Sequence, residues 1–141
     1  MKPSNTVLLV DDDVDFAVAM RTVLESAGLR VFQAGDPGTA LELASSQRPD
    51  LLITDLMMDG LDAGLEFIAQ ARTLPGLAHV PALLVTAVGT RRGYDLRPRD
   101  EKDLRAMGIQ AFLEKPVPST ELVATVQRLL AERGNIRRSG E

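Results

Sequence analysis

Four short apolar runs in this chain end on residues that could do chemistry. Asp11-Asp12 follow Val7-Leu8-Leu9-Val10, and Asp55 follows Leu51-Leu52-Ile53-Thr54. Thr86-Ala87 follow Ala82-Leu83-Leu84-Val85, and Lys115-Pro116 close the stretch begun by Ala111-Phe112-Leu113. Brought together, these ends supply three carboxylates, a hydroxyl and an ammonium. Magnesium takes oxygen ligands in octahedral array, commonly one or two carboxylates with waters and phosphate. Asp11, Asp12 and Asp55 suit that ion. The Thr86 hydroxyl and the Lys115 ammonium suit the oxygens of a phosphoryl group.

Each residue also has a plainer reading. Asp11-Asp12-Asp13 alone would be an acidic helix start, Lys115 a surface lysine and Thr86 an ordinary β-branched strand residue. The runs that carry them decide the matter. They are short, apolar and bounded by turn residues, as strands buried on both faces are. Open α/β sheets place their ligands at the carboxyl ends of such strands. Three carboxylates held close together repel one another, so the site is expected to be strained until a cation arrives.

The connecting segments read as helices. From about Asp13 to Ala27, Phe16, Ala17, Met20, Val23, Leu24 and Ala27 follow helical spacing, and Gly28 stops the run. Arg30 to Ala34 reads as a second strand. Asp36-Pro37 opens the next helix, Asp as N-cap and Pro at the first helical position, running to about Ser46. Asp59 to Gly64 reads as a loop, Leu65 to Thr73 as a third helix and Glu101 to Met107 as a fourth. Ile109 to Leu113 is expected to be strand five, and Ser119 to cap a last helix. His79, the one histidine, lies between Pro75 and Pro81 and reads as loop surface. Strand and helix alternate five times, which predicts an α/β fold: a doubly wound, five-stranded parallel sheet with helices on both faces.

The 141 residues are one domain's worth, expected over 1–133 with a polar, fraying tail over 134–141. Apolar residues make up 45% and charged residues 26%, the balance of a soluble globular protein. A net charge of −4 argues against direct nucleic-acid binding. The absence of Cys excludes disulfides and thiolate chemistry. No apolar run approaches the ~20 residues of a membrane span, and no signal peptide is visible, so a cytoplasmic location is expected.

With those residues in order, the chain resembles the receiver domains of two-component response regulators, of the stand-alone, flavodoxin-like type. That pattern has an acidic pair after strand one, a phosphoacceptor Asp after strand three, Thr or Ser after strand four and Lys-Pro after strand five. Here these are Asp11-Asp12, Asp55, Thr86-Ala87 and Lys115-Pro116. The resemblance implies that Asp55 takes a phosphoryl group from a phosphohistidine on a sensor histidine kinase or histidine phosphotransfer protein. It implies Mg2+ held by Asp12, Asp55 and the backbone carbonyl of Met57, with Asp11 acting through water. It implies phosphoryl contacts from Thr86, Ala87 and Lys115. It also implies a switch in which Thr86 moves toward the phosphoryl group and Phe112 turns inward. The changed surface would comprise the fourth helix, fifth strand and last helix, read by a downstream protein partner or by a second copy of the chain.

Two features depart from the pattern. Met58-Asp59-Gly60 stands where Met-Pro and a Gly turn are usual, and the span from Thr86 to Lys115 is several residues longer. The added length lies around Gly89 to Arg99, an arginine-rich stretch read either as a solvated loop or as a docking element that reorders on phosphorylation. Two rival functions remain. The opening Val7 to Val14 also fits a haloacid-dehalogenase-like phosphatase, with Asp11 as nucleophile and Asp13 as general acid, but the acids that such enzymes need after the lysine are missing. The other rival is a receiver-like docking module that is never phosphorylated.

Overall fold

Adjacent residues along each strand go to opposite sides of the sheet, and this explains runs that show no polar alternation. Val7 and Leu9 of β1 (Thr6–Val10), Leu51 and Ile53 of β3 (Leu51–Thr54), Leu83 and Val85 of β4 (Ala82–Thr86), and Ala111 and Leu113 of β5 (Ala111–Glu114) share one apolar cluster. Leu8 and Val10, Leu52, Ala82 and Leu84 belong to a second, with Phe112 packed against it. The first cluster is closed by α1 (Val14–Ser26) and the C-terminal helix α4 (Ser119–Ser139) through Ala17, Met20, Leu24, Leu122, Val126 and Leu129. The second is closed by α2 (Pro37–Gln47) and α3 (Ala63–Ala71) through Ala40, Ala44, Phe67, Ile68 and Ala71. A strand covered on both faces must be apolar at every position. Truncating a large residue such as Ile53 would cost about 2–5 kcal/mol.

The computed structural model describes residues 5–55, 63–86 and 108–139. Its five strands, all parallel, run in the order β2-β1-β3-β4-β5, with β2 at Arg30–Ala34. The expected doubly wound sheet is therefore present. β3 is central, between β1 and β4, and the registers set Val10 beside Thr54 and Thr86 beside Glu114. Asp11 and Asp55 thus leave adjacent strands at the same level; Asp55 N–H donates to the Val10 carbonyl at 3.0 Å.

Local signals set most of the boundaries. Asp13 caps α1, its side chain accepting from Phe16 N–H, and Asp36 caps α2 by accepting from Thr39 N–H. Gly28, past the end of α1, has φ of +90°, a conformation that glycine adopts without the penalty a Cβ brings. Several boundaries differ from expectation. α3 begins at Ala63 rather than Leu65, because Gly64 is buried inside the helix instead of turning the chain before it. β5 is Ala111–Glu114, with Ile109 buried ahead of the strand. Ser119 is the first residue of α4, not its cap; the Pro118 carbonyl accepts from Leu122 N–H at 3.0 Å. α4 itself continues to Ser139. The helix expected over Glu101–Met107, the loop from Gly89 to Arg99 and the Met58-Asp59-Gly60 departure lie outside the described residues. No helix among the described residues is long and apolar enough to cross a membrane.

Candidate phosphoryl and magnesium site

The site forms where β1 and β3 end. Asp11 is 2% exposed and Asp55 8%, while Asp12 is open to solvent. Two successive acids therefore diverge, one turned into the protein and one out. Asp11 Oδ1 accepts from Asp13 N–H at 2.9 Å, which fixes the buried carboxylate against the start of α1. Thr54, fully buried at the end of β3, donates its hydroxyl to the Asp55 carbonyl at 2.9 Å.

From the far strand, Lys115 reaches both buried acids. Its Nζ stands 2.9 Å from Asp11 Oδ2 and 3.3 Å from Asp55 Oδ2. The Lys115–Pro116 peptide bond is cis. The same ammonium lies over the face of Phe16, 4.3 Å from the ring centroid. Burial raises the pKa of Asp11 above the ordinary carboxylate value, against the pull of Lys115 and of the Asp13 N–H. Burial alone would lower Lys115, but Asp11 and Asp55 more than offset it, and the ammonium is held above the ordinary lysine value. Lys115 thus offsets part of the repulsion expected among the acids, at Asp11 and Asp55.

The acids fit magnesium. Asp11, Asp12 and Asp55 each offer one carboxylate oxygen, and the three lie within 4.8 Å of one another. Oxygens sharing an octahedral magnesium are roughly 3–4 Å apart, so small side-chain rotations bring the set together. Asp11 Oδ2 is buried and faces Lys115 Nζ at 2.9 Å, so a cation taken up there would compete with that ion pair.

Of the residues expected at the site, the structure unites Asp11, Asp12, Asp55 and Lys115. Thr86 ends β4 with its backbone paired to Glu114, which puts it at the same sheet edge; its side chain is outside the description. Met57 and Ala87 are outside it entirely. Phe112 is half-buried against the α2–α3 cluster. His79 is exposed surface. Asp13, the rival general acid, is committed to capping α1. Two contributors were not legible as such. Thr54 carried a signal, as the polar residue closing an apolar run. Phe16 carried none, since helical spacing accounts for it as a core residue.

A doubly wound parallel sheet with an acidic pocket and a lysine at its carboxyl edge is the arrangement expected of a receiver domain. Residues 7–127 match the response regulator receiver domain family, and the chain belongs to it. The cyclic di-GMP phosphodiesterase response regulator RpfG of Xanthomonas campestris is 36% identical over 126 residues, 88% of this chain and 31% of that protein. The polar-differentiation response regulator DivK of Brucella anthropi is 25% identical over 130 residues, 92% of this chain and 98% of DivK. Among solved structures, the chemotaxis response regulator CheY4 of Vibrio cholerae superposes with a TM-score of 0.75 at 28% identity, covering 89% of this chain and 98% of that one. The chain thus spans under a third of RpfG but nearly all of DivK. Receiver domains are signalling domains of two-component systems, work with sensor histidine kinases and hold Mg2+ in an acidic pocket.

Proposed function

We propose that this chain is a response regulator that accepts a phosphoryl group on Asp55 and signals through a changed protein surface. The observation that carries the reading is Asp55 at the end of the central strand, with Lys115 Nζ 3.3 Å from its carboxylate and Asp11 and Asp12 beside it. The donor is a phosphohistidine on a sensor histidine kinase or histidine phosphotransfer protein. A carboxylate oxygen of Asp55 forms the new O–P bond as the donor's N–P bond breaks, and the leaving imidazole takes up a proton. Mg2+ would be held by Asp12, Asp55 and the Met57 carbonyl, with Asp11 acting through water. When bound, the ion draws charge from the phosphoryl oxygens and lets an anion approach three acids. Lys115 then exchanges a carboxylate partner for a phosphoryl oxygen.

Thr86, Ala87 and Phe112 relay the change. Thr86 and Ala87 contact the phosphoryl group, and Phe112 turns further into the cluster it already touches. The output is a cytoplasmic protein–protein contact, with a downstream partner or a second copy, rather than direct nucleic-acid binding. Residues 1–133 form the receiver unit. Intact mass after treatment with acetyl phosphate and Mg2+ tests the assignment. The wild type and Asp13→Asn should gain one phosphate and Asp55→Asn none. Phosphate mapped to Asp11 would point to the phosphatase reading, and none on the wild type to a docking module that is never phosphorylated.

A further inference from the structure

We propose that Phe16 is a positioning residue for the phosphoryl site, its ring face fixing where the Lys115 ammonium stands. The inference rests on the phosphoacceptor reading above and adds a residue to it. Four contacts close a circuit between two stretches of chain far apart in sequence. Asp11 Oδ1 accepts from Asp13 N–H at 2.9 Å, and Asp13 Oδ1 accepts from Phe16 N–H at 3.1 Å. The Phe16 ring lies 4.3 Å from Lys115 Nζ, which returns to Asp11 Oδ2 at 2.9 Å. The turn that presents the acids therefore also presents the ring.

A carboxylate and a ring act differently on an ammonium. A carboxylate engages its N–H bonds, whereas an aromatic face attracts the whole charge and leaves those bonds free to change acceptor. Lysine is a point charge on a flexible four-carbon stem, and Lys115 must serve the acids in one state and a phosphoryl oxygen in the other. The ring is the partner that need not change between states. An aliphatic residue would fill the space but would not hold the charge. Phe16 also packs against the apolar cluster shared by α1 and α4, so its packing must be separated from its hold on Lys115.

Two titrations on the full chain separate them: Mg2+ alone, and beryllofluoride, a phosphoryl stand-in, at saturating Mg2+. Phe16→Leu is expected to weaken beryllofluoride binding roughly three- to tenfold, with Mg2+ affinity unchanged within about twofold. Phe16→Tyr should restore beryllofluoride binding. The Lys115 Cε protons should show an upfield ring-current shift in the wild type and in Phe16→Tyr, lost in Phe16→Leu. If Phe16→Leu does not fold, Phe16→Met takes its place. Wild-type beryllofluoride affinity in the aliphatic variant, failure of the tyrosine to restore it, or a parallel fall in Mg2+ affinity would each overturn the proposal, the last by showing a displaced α1. A wild type that binds no beryllofluoride would instead sink the phosphoacceptor reading, whatever the ring-current shift shows.

Discussion

Two cations are drawn into this protein at opposite edges of one sheet, and they keep different company. At the carboxyl edge, Lys115 is held by Asp11, Asp55 and the Phe16 ring. At the amino edge, Arg72, just past α3, donates to the Gly108 carbonyl, to the Val80 carbonyl at 3.1 Å and to Gln110 Oε1 at 3.1 Å. Gln110 Oε1 also accepts from Ala82 N–H at 2.7 Å, so Arg72 ties α3 to the starts of β4 and β5. Burial lowers the pKa of Arg72, with no acid offsetting it. Neutral carbonyls have no stronger claimant, so Arg72 stays where it is. Carboxylates can be claimed by a metal ion, and an ammonium by a phosphate. The same charge is a brace at one edge and an exchangeable part at the other.

Removing each cation should break the comparison open. Lys115→Met leaves Asp11 and Asp55 buried together, a loss of about 3–5 kcal/mol. Urea unfolding should show that loss without Mg2+ and show most of it recovered when Mg2+ is added. Arg72→Met should cost about 2 kcal/mol by stranding its carbonyl acceptors, with no recovery from Mg2+ and with beryllofluoride affinity within about twofold of wild type. Equal recovery in both variants would erase the distinction between the edges.

Acids at the two edges sharpen it further. Asp12→Asn removes a repelling charge, so the metal-free protein should gain about 0.5–1 kcal/mol and lose the stabilisation that Mg2+ gives the wild type. Asp50, whose Oδ2 accepts from Thr6 N–H at 2.9 Å, works the other way. Asp50→Ala should lose about 1 kcal/mol, whatever the magnesium concentration. Thermal melts with and without Mg2+ compare the pair.

The smallest effect is in pH. Lys115 is raised above the ordinary value of 10.5, so the stability it contributes is full below that value and lost as pH climbs through the folded pKa above it. The difference between wild type and Lys115→Met should therefore hold level from neutral pH to about 10 and close at higher pH. A gap that closed below pH 10 would mean that Lys115 is not stabilised by its acids.

The sheet was legible because burial on both faces leaves a plain mark, an uninterrupted apolar run between turn residues. Asp11, Asp12, Asp55 and Lys115 were legible because each ends or closely follows such a run. Boundaries slipped where a residue type has two uses. Gly64 reads as a loop but is small enough to sit buried in α3, and Ser119 reads as a cap but begins the helix. Side-chain partnerships across distant elements left no local trace. Phe16 fits its helix so well that its contact with Lys115 is hidden, and nothing around Arg72 in the sequence points to the carbonyls it meets once β4 and β5 are laid beside it.

The reach of Lys115 across 60 residues to Asp55 also bears on the chain while it is being made. A ribosome releases Asp11, Asp12 and Asp55 long before Lys115. Asp55 therefore exists for a time without the Lys115 ammonium, as it does in a chain cut short before β5. Such a chain carries three acids, Asp55 among them, without the ammonium that faces two of them in the finished fold. Under the phosphoacceptor reading proposed above, an unfinished copy lacks the ammonium that would meet a phosphoryl group, and is expected to accept phosphate poorly beside finished ones.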